Sequence, residues 1–308
     1  MLYDEIKSRV KNLNMTKFTD ADILRLDEAF AKEGIPFHAR PLNAAMKILG
    51  NNFSINLIDN PLVIEVKQAY ERLIPEVKYT WPGMGTGLVA SVDQVKKVTI
   101  GIIYGSVNIS IDKGLGFSND QEWIKWCRGS RKITNQSAFA FADMYDLVYG
   151  INGSDSPSTT YWGLASEQLK LVAESLCQTG AISSPILQPI CLTVELAIKG
   201  TLLYLGIPEK DLRNSKKFGH NLVKLAQRMI QEKSHRDDQL LLTMLGKFPD
   251  YVSDRYRETN LTRLEVISLA LSAQFIAASA VRRITGRDIA EQIETSDIGP
   301  RSNLFYLI

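Results

Sequence analysis

Val194-Glu195-Leu196-Ala197-Ile198-Lys199, followed across a short loop by Phe218-Gly219-His220-Asn221-Leu222, is the stretch that decides the fold. Residues 186–205 are apolar at nearly every helical angle, which predicts a helix buried on all sides. Gln188, Glu195 and Lys199 interrupt that surface within one wedge of about 40° at 100° per residue. A lone carboxylate or ammonium is costly to bury. Glu195 and Lys199, four residues apart, are therefore expected to pair with each other or to reach a polar cluster built from other segments. His220, at a helix start, is the candidate third member.

The flanking sequence reads as further helices. Trp162, Ala165, Leu169, Val172 and Leu176 recur at three- and four-residue steps and predict a helix ending near Gly180. A third helix opens at His220, with Leu222, Leu225, Ala226 and Met229 on one side. A fourth covers about Asp237 to Phe248, and a fifth, about Leu261 to Ile284, carries Leu264, Ile267, Leu271, Phe275, Ala278 and Val281. This pattern suits a helical bundle. Arg255-Tyr256 precedes the last helix and is placed either to close the polar cluster or to lie in a loop salt bridge with Asp250 and Asp254.

The N-terminal half is more mixed. Thr19 before Asp20-Ala21-Asp22, and Asn60-Pro61 before Val63-Ile64-Val66, are helix starts, because a capping side chain satisfies free N–H groups and proline tolerates the first turn. Helices are expected near 20–33, 41–49 and 61–74. Val98, Ile100 and Ile102, then Val107, Ile109 and Ile111 after Gly105-Ser106, alternate with period two and predict a hairpin. Ser118-Asn119-Asp120-Gln121 opens a short helix through Trp123 and Trp126, and Gln136 to Val148 continues helically. The glycine-rich Trp81-Pro82-Gly83-Met84-Gly85-Thr86-Gly87 lacks the Lys-Ser/Thr of a phosphate-binding loop and is expected to be a flexible turn, as is Gly114-Leu115-Gly116. The polar, aperiodic residues 152–160 are the expected linker. They divide an α-rich domain with a small β-hairpin (1–151) from a helical bundle (161–288) and a C-terminal tail (289–308), so the fold class is mostly α.

At 308 residues and 45% hydrophobic content the chain can bury a full core and form two domains. Lys plus Arg (36) nearly cancels Asp plus Glu (34), so no global field draws it to nucleic acid or membrane, and any RNA contact needs a local patch. Candidate patches are Lys125-Arg128-Arg131-Lys132, Lys210-Arg213-Lys216-Lys217 and Arg282-Arg283-Arg287, the last of which reads as a solvated helix end completing the helix dipole. Cys127, Cys177 and Cys191 share no Cys-x-x-Cys spacing and read as reduced core residues. His38 and His235 have no partner at ligand spacing, so no metal and no cofactor is expected. The N-terminus has no secretory pattern and no apolar run reaches about 18 residues. A cytoplasmic protein without a membrane partner is the expectation. The apolar ending Leu304-Phe305-Tyr306-Leu307-Ile308 is expected to dock on its own fold or on a second subunit.

Taken in order, an apolar helix with Glu and Lys four apart, a Gly-His-x-Leu helix opening, a later Arg-Tyr and a long final amphipathic helix resemble the HEPN family over about residues 161–288. The resemblance implies a compact all-helical bundle, often a dimer. Many members of that family are metal-independent ribonucleases of prokaryotic toxin–antitoxin or defence systems that use an Arg and a His with four to six residues between them. Others only bind nucleotides or partner with a nucleotidyltransferase. Arg213-Asn214-Ser215-Lys216-Lys217-Phe218-Gly219-His220 matches the Arg–His spacing. Arg213, however, lies before a mid-domain helix, whereas the nuclease motif belongs to a later one. The Gly-His-Asn-Leu form resembles the nucleotidyltransferase-associated branch.

Two readings stand for each candidate residue. His220 is a general base or phosphate contact, because a neutral imidazole can take a proton from a ribose 2′-hydroxyl, or it is a loop anchor. Arg213 stabilises phosphorane charge if it faces the same pocket as His220, or is a surface arginine. Glu195 and Lys199, with Arg255, support that site or form a structural ion pair. Lys216 and Lys217 are candidate nucleic-acid contacts. Trp126, with Arg128 and Arg131, offers stacking plus positive charge, or packs at the rim of the core. The corresponding functions are an RNA- or nucleotide-interacting protein that cleaves RNA, and a non-catalytic module that dimerises or binds a partner protein.

Overall fold

The computed structural model describes residues 18–50, 60–78, 83–102, 108–151, 156–178, 184–214, 216–250 and 260–301. Among the described residues the chain is mostly helical with one antiparallel hairpin, and it divides into two compact units, Met1–Pro82 and Gly83–Ile308.

The first unit contains α1 (Asp20–Lys32), α2 (Arg40–Leu49) and α3 (Pro61–Leu73), within a residue or so of the expected bounds. Thr19 and Asp22 form a reciprocal capping box, and Asn60 accepts from the Leu62 N–H at 2.9 Å. Ile23, Phe30, Ala44, Ala45, Val63, Val66 and Tyr70 make the core. Beside it Arg40 bonds Asp27 at 3.2 Å and the Ile35 carbonyl at 2.9 Å, so a buried guanidinium fixes the α1–α2 connection.

The second unit begins with β1 (Gly85–Ser91) and β2 (Gln94–Ile100), paired antiparallel from Gly85↔Ile100 to Ser91↔Gln94 around a two-residue turn at Val92-Asp93. The helices that follow are α4 (Ile111–Gly114), α5 (Asp120–Trp126), α6 (Arg131–Gly150), α7 (Pro157–Cys177), α8 (Leu187–Tyr204), α9 (Glu209–Arg213), α10 (Leu222–Glu232), α11 (Asp238–Leu245), α12 (Arg263–Thr285) and α13 (Ile289–Glu294). α8 packs against α7, α10 and α12, α6 packs against α12 and α13, and β1 lies against α6 and α7. One continuous core runs through all of them. Residues 152–160, expected to separate two domains, therefore lie inside this unit, with Ser156 capping α7. Residues 289–301, expected as part of a tail, contribute α13 and a nearly buried Arg301.

The hairpin differs from its expected register. β2 holds Val98 and Ile100, but its partner is the upstream glycine-rich segment that was expected to be a flexible turn. Ile111 opens α4, and Val107 lies outside the described residues. β1 is buried on both faces from Thr86 to Ser91, so it has no alternation to read. Its glycines are required by proximity: a Cβ on Gly87 would stand 2.4 Å from Gln274 Oε1 and 2.8 Å from Met144. Gln274, on α12, accepts from the Leu88 N–H at 2.9 Å and donates to the carbonyls of Leu88 and Ala140, tying strand, α6 and α12 together.

A second close approach brings α7 onto α8. A Cβ on Gly200 would lie 2.6 Å from the Trp162 ring and 2.9 Å from the Ser158 carbonyl, while Trp162 Nε1 donates to Ala197 O and Thr201 Oγ1 at 3.2 Å. Alanine is the better helix former by about 1 kcal/mol. Gly200→Ala is nevertheless expected to destabilise by about 1–3 kcal/mol, because backbone stands in the way. Chemical denaturation would detect it, and a gain in stability would refute the close-packing argument.

α12 is long and apolar enough to cross a membrane, and 83% of its apolar window is buried within the protein.

Candidate functional site

α8 carries its polar stripe as the sequence implied. Glu195 and Lys199 are buried at 3% and 5% exposure, and Lys199 Nζ donates to Glu195 Oε1 at 2.7 Å. Gln188, one end of the stripe, is exposed. The pair is bonded within one helix, and its second partner comes from the loop before α10. There Asn214 O accepts from the N–H groups of Lys217, Phe218 and Gly219, and Gly219 adopts φ +53°. That turn delivers His220 directly before Asn221, which caps α10 through the Lys224 N–H at 2.9 Å. His220, expected to open the helix, thus stands one residue ahead of its cap. Freed from the helix, its ring points back at α8.

His220 Nδ1 lies 3.1 and 3.0 Å from the two Glu195 oxygens. A carboxylate only accepts, so Nδ1 carries a proton, and in the neutral tautomer Nε2 is the acceptor nitrogen of a ring whose side chain is 57% exposed. A buried carboxylate thus orients an open imidazole, and the buried ammonium beside it balances the carboxylate charge. One turn earlier, burial, with help from the charges of Glu195 and Asp250, pushes the Cys191 thiol up to about 12, leaving it inert.

Arg213 does not join this cluster. It is exposed, and it bonds Glu209 Oε1 at 2.5 Å while Tyr161 Oη donates to the same oxygen at 3.0 Å. Lys217 pairs with Asp211 at 2.8 Å and Lys216 is exposed. Asp254, Arg255 and Tyr256 lie outside the described residues. In the aromatic–basic segment, Trp123 is buried and donates to Ser137 Oγ at 2.9 Å, and Trp126 packs on Phe117 with ring centroids 5.5 Å apart. Arg128 faces Asp93 at 3.6 Å, and Arg131 donates to the Asp297 carbonyl at 3.3 Å. These arginines and indoles are engaged with the protein's own core and edges. Cys127 and Cys191 are buried and Cys177 is exposed, all as free thiols.

A larger polar cluster escaped the sequence reading. Arg282 and Arg283, readable as a solvated helix end, are buried. Arg282 bonds Asp143 at 2.6 Å, Asp237 at 3.0 Å and Asp146 at 3.1 Å. Arg301 grips Asp143 with two bonds of 2.7 Å and lies over the rings of Phe139 and Phe275. Asp146 also accepts the Ile289 and Ala290 N–H groups at the start of α13, and Asp288 pairs with Arg236. Among the described residues Asp143, Asp146, Asp237, Asp288 and Glu294 thus meet the guanidinium groups of Arg236, Arg282 and Arg301, with the His235 imidazole beside Asp237 and Asp288. Burial pushes the Asp146 carboxyl up to about 7 against the opposing charge of Arg282, whereas hydrogen bonding from His235 and the charge of Arg282 hold Asp237 well below the usual range despite its burial. The legible signal was Asp143 and Asp146, two carboxylates in the apolar run Phe139-Ala140-Phe141-Ala142-Asp143-Met144-Tyr145-Asp146. It is the same kind of signal that marked Glu195.

Comparison of the chain with family models, with curated proteins and with solved structures finds no match.

Proposed function

We propose that the helical bundle is HEPN-like and that the protein interacts with RNA or a nucleotide, in the manner of a prokaryotic toxin or defence protein, with His220 as its reacting group. The observation that carries this reading is the Glu195–His220 contact, because a carboxylate on Nδ1 fixes the tautomer and makes Nε2 the base. In a metal-independent cleavage, Nε2 takes the 2′-hydroxyl proton. The 2′-oxygen then bonds to phosphorus as the bond to the 5′-oxygen breaks, and the departing oxygen takes a proton back from the imidazolium. Lys216, with Lys217 and Arg213 if they leave their acidic partners, would neutralise the phosphate.

The engagement of Arg213 by Glu209 and Tyr161 favours a second reading, a non-catalytic module that dimerises or binds a partner protein and whose Glu-Lys-His cluster is structural. Incubating a mixed RNA panel in excess EDTA with wild type, Arg213→Ala and His220→Ala separates the two, with melting curves confirming that all are folded. The nuclease reading expects cleavage by wild type and a loss of about 100-fold or more in His220→Ala. Arg213→Ala losing as much would mean that Arg213 leaves Glu209 when RNA binds. Absence of cleavage by folded wild type would move the assignment to the module.

A further inference from the structure

The second unit holds a cavity that shares no residue with the Glu195–His220 cluster. Ala90, Val92, Ile133, Leu264, Ile267 and Leu271 form its apolar floor and walls where the hairpin tip meets the first turns of α6 and α12, and its volume is about 300 Å³. Ser130, Lys132, Gln136 and Ser268 complete the lining. Lys132 is the one charged residue among the lining residues; it is exposed and makes no hydrogen bond or ion pair with the described residues. The nearest acids by sequence are engaged elsewhere: Asp93 faces Arg128, and Glu265 accepts from Thr262 in the cap of α12. A mouth with one cation that has no acidic partner among the described residues, and an apolar interior, matches a ligand with the opposite arrangement.

Val92 reinforces the point. It sits in the two-residue turn at φ +60°, a conformation that disfavours β-branched residues and where glycine or asparagine would be relaxed. The residue is 39% exposed and forms part of the cavity wall. A strained position therefore holds an apolar group at the entrance, where a residue suited only to the turn would leave the wall open.

We propose that this cavity binds a small amphipathic anion, a soluble medium-chain carboxylate whose hydrocarbon body fills the space between Val92, Ile133, Leu264 and Ile267 and whose carboxylate meets Lys132. The volume is at the lower end of ligand pockets and suits an acyl chain of roughly eight carbons. The apolar body supplies most of the affinity, and the exposed ion pair adds about a fivefold preference for the acid over the matching alcohol.

The test titrates the full-length protein with sodium octanoate and with 1-octanol, following ligand signals by saturation-transfer NMR. Lys132→Ala and Leu264→Trp are run beside wild type, with melting curves for each. Leu264 is half-buried on the wall, so an indole there fills the cavity without replacing a fully buried side chain. Saturable octanoate binding, about fivefold tighter than octanol in wild type, equal for both in Lys132→Ala and lost in folded Leu264→Trp, is the expected result. Unsaturable binding, retention of binding in Leu264→Trp, or association with anionic phospholipid vesicles in place of free octanoate would overturn the proposal. His220→Ala is expected to bind octanoate as wild type does, which keeps the site separate from any activity at His220.

Discussion

Arg282→Ala is expected to lose about 3–5 kcal/mol of folding stability, a fall in melting temperature on the order of 10 °C. The guanidinium has no exposed side-chain surface and bonds Asp143, Asp146 and Asp237. Its removal leaves three buried carboxylates facing one another with the charge of Arg301 alone among the buried guanidiniums that touch Asp143. Asp143 and Asp146 are themselves 0% exposed, so bulk water does not solvate them in the folded protein. Arg287→Ala, five residues on, is the control. Among the described residues its guanidinium overlies Tyr149 at 5.8 Å and makes no ion pair, so the change is expected to stay within about 0.5 kcal/mol. Urea unfolding of both variants decides the matter. Arg282→Ala within 1 kcal/mol of wild type would mean that the carboxylates protonate or find other partners, and that the cluster is not what holds residues 286–301 in place.

The contrast between those two arginines shows where the sequence was readable and where it was not. Period and capping located many of the helices: Thr19, Asn60 and Asn119, which mark helix starts in the sequence, all cap through their side chains. Helix ends are local, and their signals sit within a few residues. Arg282 failed as a solvated helix end because its environment is made by the loop before α11 and by α6, 45 and 139 residues away in the chain. A cationic last turn looks the same whether water or aspartate surrounds it. β1 was missed for a related reason. Burial on both faces removes alternation, and Gly85 and Gly87 read as a turn until Val148, Met144 and Gln274 are seen to occupy the space that side chains would need. Glu195, Lys199 and His220 were legible because a charge in an apolar helix demands a partner and two of the three lie four residues apart. Arg213 was read by spacing alone, and the acid one turn earlier, Glu209, claims it.

Glu195→Ala is expected to cost about 3–5 kcal/mol, while the double variant Glu195→Leu/Lys199→Met is expected to lie within about 2 kcal/mol of wild type. The single change removes the carboxylate that receives both Lys199 Nζ and His220 Nδ1 and leaves an ammonium at 5% exposure without its counter-charge. The double change removes both charges and returns an apolar surface of similar volume to a helix already lined by Val194, Ala197 and Ile198. The coupling between the two positions, read in urea from a double-mutant cycle whose single variants are Glu195→Leu and Lys199→Met, should therefore be on the order of 2 kcal/mol or more. Near-additivity would show that Lys199 reaches water or another acceptor once Glu195 is gone. The same double variant separates structure from chemistry at His220. It keeps the bundle folded but leaves the imidazole without the carboxylate that fixes its tautomer. If the protein cleaves RNA, activity should fall about 10–100-fold in this folded variant and further in His220→Ala, because an orienting partner contributes less than the base itself. A folded double variant with undiminished cleavage would remove Glu195 from the site, and with it the geometric argument that makes His220 a base.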